Sequence, residues 1–315
     1  MQERYFYATL LLLLILITAC TKDNDITNND DDDNNEIPGM VLIEAINAGF
    51  QMGSDAGFAD ESPVHNVEIT HDFWMDDSEV TQSEYDDLMA ASYAGYHTPT
   101  WNESYGHGDN YPAYEVEWGD AVLYCNAKSR AEGRDSVYTY TSIIGTPGYL
   151  CELENVSADF AKNGYRLPTE AEWEFAYRGN SDTDFYWEQD YDPYPANAAD
   201  STEFDEYAVW HGNSEIFGID DNVYGTHPVK SKQPNLYGLY DMAGNMFEWC
   251  HDWYGAYSAN SQEDPVGPDT GDWHAIRGGS WANHANYLRA TNRTFVAPCY
   301  YYYLLGFRTV LTKLD

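Results

Sequence analysis

Cations are scarce in this chain. Its 315 residues carry 15 Lys and Arg against 53 Asp and Glu, a net charge of −38. A surface so anionic repels phosphate backbones, which excludes nucleic acid as a partner and favours divalent cations. Cysteine is scarce too: there are five, none between His251 and Pro298, and none in a CxxC pair of the kind that builds a zinc cluster. No apolar run is long enough to cross a bilayer; the longest, Ala8 to Ile17, is half the required length. No internal repeat is present, and 24 Gly and 13 Pro break the apolar stretches into short pieces, which excludes a bundle of long helices.

What is there begins with an address. Ala8–Ile17 followed by Thr18, Ala19 and Cys20 resembles the signal peptide and lipobox of a bacterial lipoprotein, with residues 1–19 removed and Cys20 lipidated. Residues 20–39 are dominated by Asp and Asn and read as a solvated tether, and acids just after the lipidated cysteine resemble the surface-export signal of Bacteroidetes-type lipoproteins. The expected location is the outer membrane of a Gram-negative cell, at its surface, with the lipid as the only membrane contact. Residues 40–315 then form one domain. Four cysteines remain for it, and an exported chain predicts two disulfides; of the three connectivities, Cys125–Cys151 and Cys250–Cys299 is the expected one.

Aromatics make up 16 % of the chain, enough to supply a core without long aliphatic runs. Strands are expected at Met40–Ile46, Phe50–Met52, Val64–Ile69 and Phe73–Met75, the first two around a turn at Asn47-Ala48-Gly49. Thr81 with Glu84 is a capping box that starts a helix at Gln82 and runs it to about Ala90. Asp120 is read as the N-cap of a second helix ending near Gly133. Thr169 with Glu172 is another capping box, and Gly179 is placed to end that third helix. Arg166, Arg277, Arg289, Arg293 and Arg308 are expected as fork-shaped partners for carboxylates or carbonyls, and Trp173, Phe175, Phe247, Trp249 and Trp253 as core.

Several motifs occur in order: Phe50-Gln51-Met52-Gly53-Ser54, Glu79-Val80-Thr81, Gly164 through Glu174, Asn235 through Trp249, Arg277-Gly278-Gly279-Ser280-Trp281 and Gly306-Phe307-Arg308. Together they resemble the sulfatase-modifying factor, or formylglycine-generating enzyme, family. The resemblance implies an α+β fold: one compact, loop-rich domain distantly like a C-type lectin, with short helices on a small twisted antiparallel sheet. It implies structural calcium held by side-chain oxygens of Asp241 and Glu248 and carbonyls of Gly244 and Met246; Gly244 permits the bend that a hard cation with six to eight oxygens requires. The alternative is that Asp241 caps a turn and Glu248 pairs with an arginine. A second calcium site would use Asn197.

The family's oxidase chemistry needs two thiolates for Cu(I), and those positions fall on Asn283 and Leu288. Copper is therefore not expected, nor is any catalytic residue. Ser280, Asn283, His284 and Arg289 are expected to line the former cleft. The histidine–iron chemistry of related sulfoxide synthases has no support either, because His65 and His71 do not form a His-x-x-x-His-x-Glu pattern. The expected role is binding of a protein or glycan partner at the cell surface, or service in a secretion or gliding assembly. The alternative is an enzyme of the sulfatase-maturation type, or with different chemistry in the same cleft.

Overall fold

The computed structural model describes residues 36–191, 201–219, 221 and 223–314. The expected leader, Cys20, most of the tether and Asn197 lie outside the described residues. Sheets are small. Strands Met40–Ile43, Phe73–Asp76, Val310–Thr312 and Tyr165–Arg166 form one antiparallel sheet in that order. A second runs Arg293–Val296, His274–Arg277, Phe247–Trp253 and Leu305–Gly306, its last pair parallel. A third places His65–Ile69 between Gln262–Glu263 and Ala48–Met52. From His65 onward the strand alternates buried and exposed without fault, the pattern of a strand with one face on the core.

Three of the helices follow from local signals. α1, Gln82–Ser92, and α3, Glu170–Arg178, each begin with a complete capping box, in which the Thr hydroxyl accepts from the N3 amide and the N3 carboxylate accepts from the Thr amide. Each such cap is worth about 1 kcal/mol. Gly179 ends α3 in the left-handed conformation, φ 54°. α2, Trp118–Ala131, corrects the expectation at Asp120: the N-cap is Glu117, and Asp120 sits inside the first turn. Asp120 is buried and accepts from the amide of Gly148 at 2.8 Å, so a tertiary contact, not a cap, occupies its carboxylate. A fourth short helix spans Ser201–Tyr207.

The core is aromatic. Trp173 and Trp249 are fully buried, Phe175 and Phe247 nearly so, and Trp253 is half-buried. The five arginines bind acids, four of them far away in the chain. Arg166 forks onto Glu172 with two bonds of 2.6 Å. Arg289 forks onto Glu61 at 2.5 and 2.7 Å. Arg293 forks onto Glu170 at 2.6 and 2.8 Å, Arg308 onto Glu248 at 2.7 Å twice, and Arg277 reaches Glu174. All are buried. A buried pair is poor evidence of net stabilisation, but removing one partner costs about 3–5 kcal/mol, so these pairs fix register.

The expected disulfides are not formed; all four thiols are free. Cys125 lies in the middle of α2 with its thiol facing Asp76, Lys128 and Arg166, whereas Cys151 packs at the start of α2, against Gly119 and Asp120. Cys250 is sealed in the central strand and Cys299 is exposed.

Candidate functional site

The strand His274–Arg277 is wholly buried and delivers the chain to Gly278 and Gly279, both at positive φ. A Cβ on Gly279 would lie 2.8 Å from a methyl of Leu288, so the turn closes only with glycine there. Leu288 is fully buried under that turn, and its carbonyl accepts from the Tyr177 hydroxyl at 2.6 Å. Asn283 is half-buried: its side-chain oxygen accepts from the buried Ser280 hydroxyl at 2.5 Å, and its carbonyl accepts from the amide of His211 at 3.0 Å. The two positions expected to replace thiolates are thus spent on packing and on local hydrogen bonds.

Beside them His284 is exposed, and its ring lies 4.1 Å, centroid to centroid, from that of His211. His211 Nδ1 lies 2.5 Å from Glu215 Oε2. Ile216, Phe217 and Ile219 follow on an exposed loop, more than half of each accessible to solvent. Trp281, fully buried, packs among Tyr105, Tyr224 and Tyr303 on the other side. Of the expected cleft residues, Ser280, Asn283 and His284 come together. Arg289 does not join them. Its guanidinium is held by Glu61 and Thr291, beneath Phe58, and burial of the Glu61 carboxyl is more than offset by that cation, which lowers the Glu61 pKa.

The loop expected to hold calcium is tied to this cleft by two backbone bonds, Gly244 N–H to Gly278 O and Trp281 N–H to Asn245 O, each 2.9 Å. Gly244 has φ 83°, and a Cβ there would lie 2.1 Å from the Val209 carbonyl. Glu248 is already engaged: Arg308 takes both oxygens and Trp173 Nε1 donates to Oε2 at 2.8 Å. Asp241 Oδ2 accepts from the Lys230 amide, eleven positions away, at 2.7 Å. Its other oxygen, Oδ1, is buried without a partner, and so is Glu79 Oε1. Burial raises the pKa of both carboxyls, helped at Glu79 by the charges of Asp241 and Glu248 and at Asp241 by that of Glu248. Among the described residues no three His, Cys, Asp or Glu side chains converge as on a bound ion. The two orphaned oxygens suit a hard cation; Glu248 as it stands does not.

Glu79 and His211 escaped the reading of the sequence. Glu79 had a signal, an acid just before the apolar Val80 and the N-cap Thr81, where a solvated residue is not expected. His211 had none, because its partner lies 73 positions away in irregular chain. A separate cavity of about 850 Å³ lies elsewhere, lined by Trp118, Cys151, His251, Trp253, His274 and Cys299 among others. There His274 is stacked between Trp118 and Trp253 at 3.9 and 3.8 Å.

Comparison with known proteins places this geometry. Residues 26–313 match the family described as the sulfatase-modifying factor enzyme 1-like domain. The chain is 30 % identical over 257 residues to the chaperone protein LppX of Paenibacillus barcinonensis, covering 78 % of this chain and 80 % of that one. It is 37 % identical over 199 residues to the formylglycine-generating enzyme of Thermomonospora curvata, covering 60 % of this chain and about half, 52 %, of that enzyme. Among solved structures, Treponema denticola variable protein 1 superposes with a TM-score of 0.67 at 28 % identity, over 87 % of this chain and 95 % of that one.

Proposed function

The chain belongs to the sulfatase-modifying factor enzyme 1-like family, and from that membership we propose that it uses the family fold to bind a polypeptide partner at the cell surface, without the copper oxidation. One observation carries this reading: the family's thiolate positions hold Asn283, bonded to Ser280 and His211, and Leu288, sealed in the core. Soft sulfur selects Cu(I), and neither an amide nor an isobutyl group substitutes for it. The relative whose name is chaperone protein supports a polypeptide as the partner. So does the exposed apolar loop Ile216–Ile219 beside the cleft, since apolar side chains exposed together, unlike isolated ones, mark an interaction surface.

In this reading lipidated Cys20 anchors the domain to the outer membrane. Calcium would be structural, held by Asp241 with the carbonyls of Gly244 and Met246, and by Glu79 in place of the engaged Glu248. Its contribution would be to neutralise buried carboxylates that burial now forces toward protonation.

The test pairs two assays on the purified chain. Titration with Cu(I) under a competing chelator, followed by incubation with a Cys-containing sulfatase peptide, should give neither stoichiometric binding nor aldehyde. Photo-crosslinking from position 217 on whole cells should trap a protein. Stoichiometric Cu(I) with conversion of the peptide cysteine would refute the reading.

A further inference from the structure

We propose that His211 and His284 form an open site for a divalent first-row transition ion of the zinc class, separate from any calcium site and independent of the binding role above. Three features of the pair support it.

The first is preorganisation. The two histidines lie 73 positions apart, yet the His211 amide donates to the Asn283 carbonyl at 3.0 Å, and the Ile216 amide donates back to the His211 carbonyl at 3.0 Å. The backbone therefore sets one imidazole against the other, with centroids 4.1 Å apart and planes tilted by 52°. At a metal–nitrogen length of about 2.0–2.1 Å, two imidazoles on one ion hold their centroids roughly 4.5–5 Å apart. A small swing of the exposed His284 side chain covers the difference.

The second is the carboxylate behind the ligand. Glu215 Oε2 lies 2.5 Å from His211 Nδ1. A carboxylate on that side favours a proton on Nδ1, which would leave the lone pair on Nε2. This is the arrangement by which an outer carboxylate orients a metal-bound histidine.

The third is the setting. Neutral imidazole suits zinc, copper(II) and nickel, whereas the hard calcium ion prefers oxygen. A net charge of −38 concentrates dications at the surface. Ile216 and Phe217 follow Glu215 in the chain and are exposed. No third acidic, Cys or His side chain converges among the described residues. The remaining coordination positions are therefore left to water or to a donor group of an incoming ligand, with the Ser280–Asn283 pair alongside.

The experiment is calorimetric titration of the full mature chain with zinc chloride, in buffer holding excess calcium so that any oxygen site is already saturated. One zinc per chain is expected. His211→Ala and His284→Ala should each weaken it at least 30-fold, and Glu215→Gln about tenfold, in line with the loss of an outer carboxylate. Both histidines are accessible enough that circular dichroism should show intact folds. Cobalt(II) provides a second readout: its visible absorption should shift on binding and lose intensity in either histidine variant. Absence of a saturable zinc isotherm, or full affinity in either histidine variant, overturns the proposal.

Discussion

Arg308 and Glu248 are partners, but they should not be equally costly to lose. Glu248→Gln removes one carboxylate and leaves Arg308 next to Glu79 and Asp241, which its charge also reaches. The guanidinium keeps its bonds to the carbonyls of Asp76 and Tyr240, at 3.1 and 2.8 Å. The loss is then mainly that of charge-assisted hydrogen bonds, about 1.5–3 kcal/mol. Arg308→Met instead strands Glu79, Asp241 and Glu248 in the interior without a cation. Its cost should reach or exceed the about 3–5 kcal/mol of a broken buried pair. Urea unfolding at pH 7.5 in the presence of chelator should therefore place Arg308→Met at least about 1.5 kcal/mol below Glu248→Gln. Calcium should narrow that gap, because a dication among the same three acids replaces the missing charge. Equal losses, or a larger loss in Glu248→Gln, would refute the account of Arg308 as the counter-ion of a three-acid cluster.

Three further outcomes follow. His274 is almost fully buried, and burial, aided by the nearby His251, depresses its pKa from 6.5 to about 3. The unfolded chain thus binds the extra proton first, and stability falls as pH drops below 6.5; the difference amounts to about 2 kcal/mol by pH 5. His274→Phe keeps the stack on Trp118 and Trp253 and should flatten the pH 8-to-5 slope by that amount in paired urea titrations; identical slopes would contradict it. Gly244→Ala should cost about 2–4 kcal/mol, since its Cβ would meet the Val209 carbonyl at 2.1 Å in a left-handed backbone, and a change below 1 kcal/mol would mean that the loop relaxes freely. Cys20→Ser should move the protein from the membrane fraction to the soluble one, and unchanged fractionation would remove the lipid anchor.

What the sequence made legible was local or ordered along the chain. The helices at Gln82 and Glu170 announced themselves because cap and carboxylate stand three residues apart, and the αL stop at Gly179 because only glycine adopts it without strain. The motif order carried the family, and hence the fold. Partners could not be read. Arg289 stands five residues from His284 and was expected beside it, but its charge was claimed by Glu61, 228 positions away. Asp120 looked like a cap until Gly148 took its carboxylate. The expected disulfides failed for the same reason: pairing of thiols depends on where α2 and the central strand direct them, and that is decided by packing.

The arginine forks have an order in time. Glu61, Glu170, Glu174 and Glu248 are synthesised first; Arg289, Arg293, Arg277 and Arg308, which neutralise them, come from the last 39 residues of the 315. A ribosome-bound or half-translocated chain holds Glu61, Glu170 and Glu248 without these arginines, and Glu174 with Arg178 alone, so the interior cannot close. Such a polypeptide remains threadable until its tail is released, and a truncation ahead of Arg277 would leave it permanently open.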